Sequence, residues 1–155
     1  MLVSEKVLKW AMRLYPPFLF QGIWTQKFEG DFKGAQVKIC NCLLNRNYNG
    51  SIFGGTIFSA ADPFYVILFD QILKRKGYKT QLWLKQASID YLKPGTTNLY
   101  FSIHVTEENI SEALQALDTA GKFIKTFPVK ITNKQGAVYA VVHNEIYIRK
   151  ISPAI

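Results

Sequence analysis

The residues best suited to chemistry lie at the start of a long apolar segment, where two glycines are followed by a carboxylate. Gly54 and Gly55 open the segment, and Asp62 lies seven residues after Gly55. If the segment is helical from Gly55 onward, backbone N–H groups there point outward without side chains in the way, and they can bind an anionic oxygen. Gly55 is therefore a candidate oxyanion donor. The residues alone leave the role of Asp62 open.

Both features also have purely structural explanations. Asp62 followed by Pro63 is a favourable N-cap with proline at the first helical position. Proline inside a helix costs about 3 kcal/mol, so propensity alone starts the helix at Asp62. A helix that starts near Gly55 must instead be kinked just after Asp62. Two glycines also suit a tight turn with positive φ.

Asn47 is a further candidate, but it lies in a turn-like run with Asn45 and Asn49. Asparagine side chains often hydrogen-bond nearby backbone in such turns, so stabilisation of the loop explains Asn47 at least as well as catalysis does. Phe53, just before the glycines, is expected to line the core or an apolar pocket.

Neither a metal site nor a disulfide is predicted. Cys40 and Cys42 are two residues apart on a predicted strand, where they are poorly placed to pair with each other. His104 and His143 are isolated, and a metal site needs more ligands at suitable spacing. We expect two reduced thiols and no metal.

Length and composition indicate one domain, covering residues 1–155. Hydrophobic residues make up 48% of the chain, enough for a substantial core. Lysine and arginine number 19 against 11 aspartate and glutamate, a formal charge of +8, which suits a phosphate-rich ligand or simple solubility. The lysines are dispersed rather than gathered on one face, so nucleic acid is not an expected partner.

The N-terminus, residues 2–15, is predicted to be an amphipathic helix with Val3, Val7, Trp10 and Leu14 on one stripe, ending at Pro16-Pro17. Charged residues interrupt what would be the apolar region of a signal peptide. No stretch is expected to reach the roughly 20 apolar residues of a membrane span. These observations favour a cytoplasmic protein.

The segment at 55–76 is apolar almost all round and is predicted to be a buried central helix, ended by Lys74, Arg75, Lys76 and Gly77. An irregular stretch to about Phe28 is predicted after the N-terminal helix. The remaining pattern predicts a short helix capped at Asn109 and ended by Gly121, and strands at 35–43, 82–92, 99–106, 123–132 and 137–148. Strands joined by tight turns favour an antiparallel sheet around the central helix, an α+β fold.

This order of elements resembles the hotdog fold of acyl-thioester hydrolases and dehydratases. The segment Phe53–Asp62 is similar to the His-Gly-Gly-six-residues-Asp motif of the phenylacetyl-CoA thioesterase class, with Phe53 in place of the histidine. Asn47 falls where those enzymes have an asparagine, and Ile89–Gly95 resembles the strand end and turn of many hotdog proteins. The match is closest to an uncharacterised hotdog family classed with thioesterases, which often has Phe-Gly-Gly here.

The resemblance implies an acyl-CoA thioesterase without cofactor or metal, working as a homodimer or homotetramer. Asp62 would be the base or nucleophile, acting across the dimer interface on the partner's oxyanion hole. Gly55 would supply the oxyanion donor, and Asn47 would position water or the substrate carbonyl. The expected substrate-binding residues are Phe53, Gly54, Ile57 and Phe58.

Two departures from the class favour a second hypothesis. Phe53 cannot form the hydrogen bonds of a histidine, and Leu84 stands about where the related enzymes have a serine or threonine that helps hold the attacking water. The alternative is therefore a non-catalytic protein that binds acyl-CoA or an acyl carrier.

Overall fold

A single six-stranded antiparallel sheet dominates the computed structural model, which describes residues 2–151. The strands are β1 (Ile23–Phe28), β2 (Gly34–Ile39), β3 (Thr80–Tyr91), β4 (Leu99–His104), β5 (Lys122–Thr132) and β6 (Val138–Lys150). Their order across the sheet is β1-β2-β4-β5-β6-β3. β1 and β3 are therefore the two edge strands.

Within the described residues, five α-helices accompany the sheet: α1 (Glu5–Leu14), α2 (Pro16–Phe20), α3 (Gly54–Ala61), α4 (Phe64–Arg75) and α5 (Glu107–Thr119). α3 and α4 form the central helix, and their apolar side chains pack against the alternating inward residues of β2, β4, β5 and β6. Phe64, Leu68 and Phe69 are fully buried there. The predicted α+β hotdog architecture, an antiparallel sheet around a long central helix, is confirmed.

The central helix is broken between α3 and α4, at Asp62 and Pro63. Proline has no N–H to donate to the carbonyl of Ser59, so the helical hydrogen-bond pattern cannot continue through it. Asp62 ends α3 with helical angles of φ −55° and ψ −61°, and the N-cap of α4 is Pro63. The predicted kink just after Asp62 is present, whereas a helix starting at Asp62 is not.

The central helix also corrects one expectation from the sequence. Gly54–Arg75 is 22 residues long and contains an 18-residue window with a mean hydropathy of 1.2, so it does reach the length and composition of a membrane span. Most of this segment is buried inside the domain. It is the core helix of the fold.

The N-terminal region contains more regular structure than predicted. α1 begins after Ser4, whose hydroxyl accepts a hydrogen bond from the Val7 amide, and α2 follows with Pro16 at its first position. The stretch expected to be irregular up to Phe28 contains β1. Its alternation is hidden in the sequence because the pairing with β2 shifts register between Thr25 and Lys27.

Two predicted boundaries differ for reasons visible in side chains. β2 ends at Ile39 instead of Leu43, because the side-chain Nδ2 of Asn45 donates to the carbonyls of Cys40 and Gln21 and draws the chain out of the sheet. α5 is capped by Thr106 and not by Asn109. The side chains of Thr106 and Asn109 each accept a hydrogen bond from the other's backbone amide, which forms a capping box.

Candidate active site

The N-terminus of α3 presents two backbone N–H groups without partners. The Phe53 carbonyl accepts hydrogen bonds from the amides of Thr56 (2.9 Å) and Ile57 (3.3 Å). The amides of Gly54 and Gly55 have no acceptor within residues 2–151. Free donors at the positive end of a helix favour an anionic oxygen beside them.

Both glycines lie against aromatic side chains. A Cβ on Gly55 would collide with Cε1 of Phe53, whose ring lies against this residue. A Cβ on Gly54 would lie 3.0 Å from the hydroxyl oxygen of Tyr91. The Tyr91 hydroxyl donates a 2.8 Å hydrogen bond to the Gly54 carbonyl, and burial raises its pKa above the usual 10.0, so it stays protonated. Tyr91 therefore fixes the start of α3 against the end of β3.

Two clefts meet at the start of α3, and both are lined by Phe53 and Gly55. The first has a volume of about 550 Å³ and the second of about 520 Å³. The lining of the first includes Ile52, Gly54, Ile57, Tyr91, Leu92 and Lys93. The lining of the second includes Gln21, Leu44, Arg46, Thr56 and Ser59. Phe53, 57% exposed, stands between the two clefts.

The loop before α3 is held by backbone hydrogen bonds from both sides. The Phe53 amide donates to the Asn45 carbonyl (2.7 Å), and the Ile52 amide donates to the Gly95 carbonyl (2.8 Å). Gly95 is buried, and a Cβ there would lie 3.4 Å from Cβ of Ile52. The loop and the turn after β3 thus form one wall of the first cleft.

Asn47 lines the first cleft, but most of its hydrogen-bonding capacity is used inside its own loop. Its Oδ1 accepts from the amides of Asn49 (3.0 Å) and Ser51 (3.1 Å), and its Nδ2 donates to Ser51 Oγ (2.9 Å). An amide nitrogen carries two hydrogens, so one N–H of Asn47 remains for a ligand. The loop-stabilising role weighed from the sequence is present.

Asp62 lies at the other end of α3, away from both clefts. It is exposed, and within residues 2–151 its carboxylate has no hydrogen bond or ion pair. Partial desolvation by the surrounding protein raises its pKa above the usual 3.8. Seven helical residues separate it from Gly55, about 10 Å along the axis, so one oxygen cannot contact both groups of a single chain.

The other expected site residues are divided between cleft and core. Ile57 is buried and contributes to the first cleft. Phe58 and Leu84 are half-buried, pack against the core and line neither cleft. Within residues 2–151 no three His, Cys, Asp or Glu side chains lie close enough to hold a metal ion.

One known protein family matches nearly the whole chain. The sequence profile of DUF4442, a domain of unknown function, matches residues 4–148. The chain belongs to the DUF4442 family. No curated protein sequence matches it.

Solved structures show the fold of this DUF4442 domain in other proteins. PA5026 of Pseudomonas aeruginosa, described as a probable thioesterase, has a TM-score of 0.85 at 16% identity, with 97% of this chain and 99% of that chain covered. The thioesterase HI1161 of Haemophilus influenzae has a TM-score of 0.70 at 10% identity, covering 99% and 95%. PaaI of E. coli, from the phenylacetic acid degradation operon, has a TM-score of 0.62 at 18% identity, covering 98% and 99%. At these identities the likeness shows a shared hotdog fold.

Sequence reasoning missed a buried side chain at the break in the DUF4442 central helix. Asn144 on β6 donates from Nδ2 to the Ala61 carbonyl at 2.8 Å, and its Oδ1 has no partner within residues 2–151. A signal for it was available: the inward positions 140, 142, 146 and 148 of β6 are all apolar, and 144 continues the same alternation. Asn144 therefore marks the place where the central helix breaks.

Proposed function

We propose that this DUF4442 domain is an acyl-CoA thioesterase that works as a homodimer. The observation that carries the proposal is the free Gly55 amide at the start of α3, which opens on a cleft of about 550 Å³. Small-molecule sites commonly measure 300–1,000 Å³ and combine apolar walls with a few polar groups. Ile52, Phe53 and Leu92 supply apolar wall, and Lys93 supplies a cation.

In the proposed reaction, the thioester carbonyl oxygen binds at the Gly55 amide. One preorganised donor of this kind typically contributes about 10²–10³ in rate, because negative charge on oxygen grows in the transition state. Asp62 of the partner subunit takes a proton from the attacking water, or attacks the carbonyl directly to form an anhydride that water then hydrolyses. In either route the C–S bond breaks, the thiolate leaves and takes up a proton, and the free acid is released. The remaining N–H of Asn47 positions the water or the carbonyl. Phe53, Gly54 and Ile57 form the proposed acyl-binding surface, and Phe58, which was expected there, lies outside both clefts.

Two observations support the dimer in this proposal, a distance and an open sheet edge. Asp62 and Gly55 of one chain are about 10 Å apart along α3, so a second chain has to supply the carboxylate. Of the two edge strands, β1 is covered by α1, since Arg13 Nε donates to the Thr25 carbonyl at 2.8 Å. β3 is 12 residues long and has no second strand beside it within residues 2–151. A long open edge of this kind is a template for pairing with another chain.

The substrate and location are proposed on chemical grounds. The formal charge of +8, with Arg46 in one cleft and Lys93 in the other, favours a carrier that bears phosphates, such as coenzyme A or an acyl-carrier prosthetic group. Cys40 and Cys42 are both free. Free thiols suit a reducing compartment, and we propose the cytoplasm.

A non-catalytic acyl-CoA-binding protein is the second candidate. Phe53 favours it, because a phenyl ring rests against Gly55 where the resembling enzymes have a histidine. Such a protein would use the same clefts for binding and leave the thioester intact.

A panel of acyl-CoA substrates with detection of the released thiol tests the proposal. We expect turnover above background for at least one aliphatic or aryl acyl group. A folded dimer that binds acyl-CoA in calorimetry without releasing thiol would select the binding protein. A folded dimer that does neither would contradict both functions.

A further inference from the structure

The outward side of α1 is apolar, although the helix is already packed on the domain by its other side. Leu8 and Met12 pack against the core. Val7, Trp10 and Leu14, spaced three and four residues apart, form a stripe that faces outward. The exposed fractions of Val7 and Leu14 are 58% and 64%. We call these three residues the α1 stripe.

The α1 stripe continues along the chain toward the candidate site. Tyr15, Leu19 and Phe20, in and beside α2, are also exposed. The Gln21 carbonyl accepts a 2.7 Å hydrogen bond from Asn45, which ties the end of α2 to the loop that carries exposed Leu43 and Leu44. Gln21 and Leu44 belong to the lining of the second cleft. The apolar surface therefore ends beside that cleft.

Cations run along one side of the α1 stripe. Lys6, Lys9 and Arg13 share a face of α1, and Glu5 is the one acid of the helix. Lys6 and Lys9 take part in no ion pair within residues 2–151. The guanidinium of Arg13 lies over Trp10 (4.8 Å) and over Trp24 of β1 (4.3 Å), which places charge and aromatic surface side by side.

We propose that the α1 stripe and its cations dock on an anionic lipid bilayer, with α1 lying in the plane of the interface. A helix with an apolar face containing tryptophan and a face rich in lysine and arginine has the features of an interfacial membrane helix. Unpaired lysines beside such a face are attracted by anionic headgroups. A second copy of α1 would bring three more cations and a single acid, so it lacks the complementary charge.

The docking site needs no folding on arrival. α1 is capped by Ser4 and anchored through Leu8, Met12 and the hydrogen bond from Arg13 to the Thr25 carbonyl. The ordering cost that a free amphipathic peptide meets on binding is therefore already met in the folded domain. The proposal concerns a surface outside the clefts and does not depend on thioesterase activity.

Vesicle flotation of the full chain tests the proposal. The wild-type protein is expected to float with vesicles of phosphatidylcholine and phosphatidylglycerol, to float much less with phosphatidylcholine alone, and to be released by high salt. Equal behaviour with both vesicle types, or no flotation with either, overturns the proposal.

Matched variants locate the surface. Leu14→Ser should lower the partition coefficient on anionic vesicles about tenfold, because one leucine leaves the bilayer interface. Ile124→Ser on β5 removes an exposed aliphatic side chain elsewhere and should leave partitioning unchanged. Equal losses in the two variants, or none in Leu14→Ser, would contradict docking through α1.

Charge reversal tests the cations beside the α1 stripe in the same way. Lys6→Glu with Lys9→Glu should abolish the preference for anionic vesicles, whereas Lys130→Glu with Lys134→Glu makes the same charge change at exposed, unpaired lysines far from α1 in sequence. Lys6, Lys130 and Lys134 are exposed and Lys9 is half-buried, and thermal melting should confirm that the variants fold. If light scattering instead shows that Leu14→Ser reduces the oligomeric mass while wild type ignores vesicles, a second copy covers the stripe and the proposal fails.

Discussion

Asp62 is held by the backbone of α3, because its carboxylate contacts no partner within residues 2–151. Capping, the strongest structural explanation for an aspartate before proline, is not what this residue does, since Pro63 is the N-cap of α4. A free carboxylate at a helix break is available to water or to a bound molecule. This is the residue-level basis for proposing a catalytic role.

Asp62→Asn and Asp62→Ala should therefore behave alike. Loss of a true N-cap costs about 1 kcal/mol in the alanine variant, but no cap is lost here. Both changes also remove a partly desolvated charge, so both variants should melt at or slightly above the wild-type temperature. Thioesterase activity should fall at least ~10² in both, the scale of lost general-base assistance. Thermal melting and thiol release measure the two quantities. Full activity in either stable variant would remove Asp62 from the mechanism.

The pH dependence of activity should reflect the environment of Asp62. Desolvation raises its pKa above 3.8, so the reactive carboxylate is lost at a higher pH than an ordinary aspartate would lose it. Because the raised pKa disfavours the charged form in the folded state, ionised Asp62 opposes folding above this pKa, and the penalty disappears below 3.8. The fall of kcat/KM on the acidic side should be centred above pH 3.8. An enzyme whose kcat/KM does not fall at acidic pH would argue against an aspartate base.

At the level of elements, the sequence predicted what depends on local periodicity. The clean alternation of β4 and the apolar run of the central helix were identified correctly, as was the kink that Pro63 imposes. β1 was missed because the bulge between Thr25 and Lys27 shifts its alternation by one residue. The end of β2 was misplaced because Asn45 ties down the chain through contacts with Gln21 and Cys40. Neither feature has a short-range pattern.

The sequence predicted those residues of the candidate site that lie in one continuous segment, but not those that come from distant strands. Gly54, Gly55 and Asp62 share α3, so their spacing was sufficient to single them out. Tyr91 and Asn144 act on α3 from β3 and β6, at separations of 37 and 83 residues. Their roles depend on strand register, which the sequence alone did not fix.

Asn144→Ala should loosen the break that carries Asp62. The Ala61 carbonyl would lose its partner, and an unsatisfied buried polar group costs about 1–3 kcal/mol. We expect a lower free energy of unfolding in denaturant and a lower kcat for the folded protein. Val142→Ala, at the neighbouring inward position of β6, should lower stability through a cavity while kcat stays unchanged. Equal kcat in the two variants would show that Asn144 is only structural.

At the scale of the whole molecule, the proposed active site requires two chains. One sheet edge is closed by α1 and the other, β3, is open, while the proposed donor and carboxylate stand at opposite ends of the same helix. In the proposed dimer, Asp62 of one chain lies near Gly55 of the other.

Mixing two inactive variants tests the shared site most directly. Asp62→Asn removes the carboxylate, and Gly55→Pro removes the amide hydrogen in the first turn of α3, where proline is tolerated once the exposed ring of Phe53 turns away from the new Cβ. Each homodimer should be folded and inactive. After subunit exchange, half of the dimers are mixed and one of their two sites is intact, so about a quarter of wild-type activity should return. Exchange between folded dimers that restores no activity, with wild-type turnover established, would contradict a site shared between subunits.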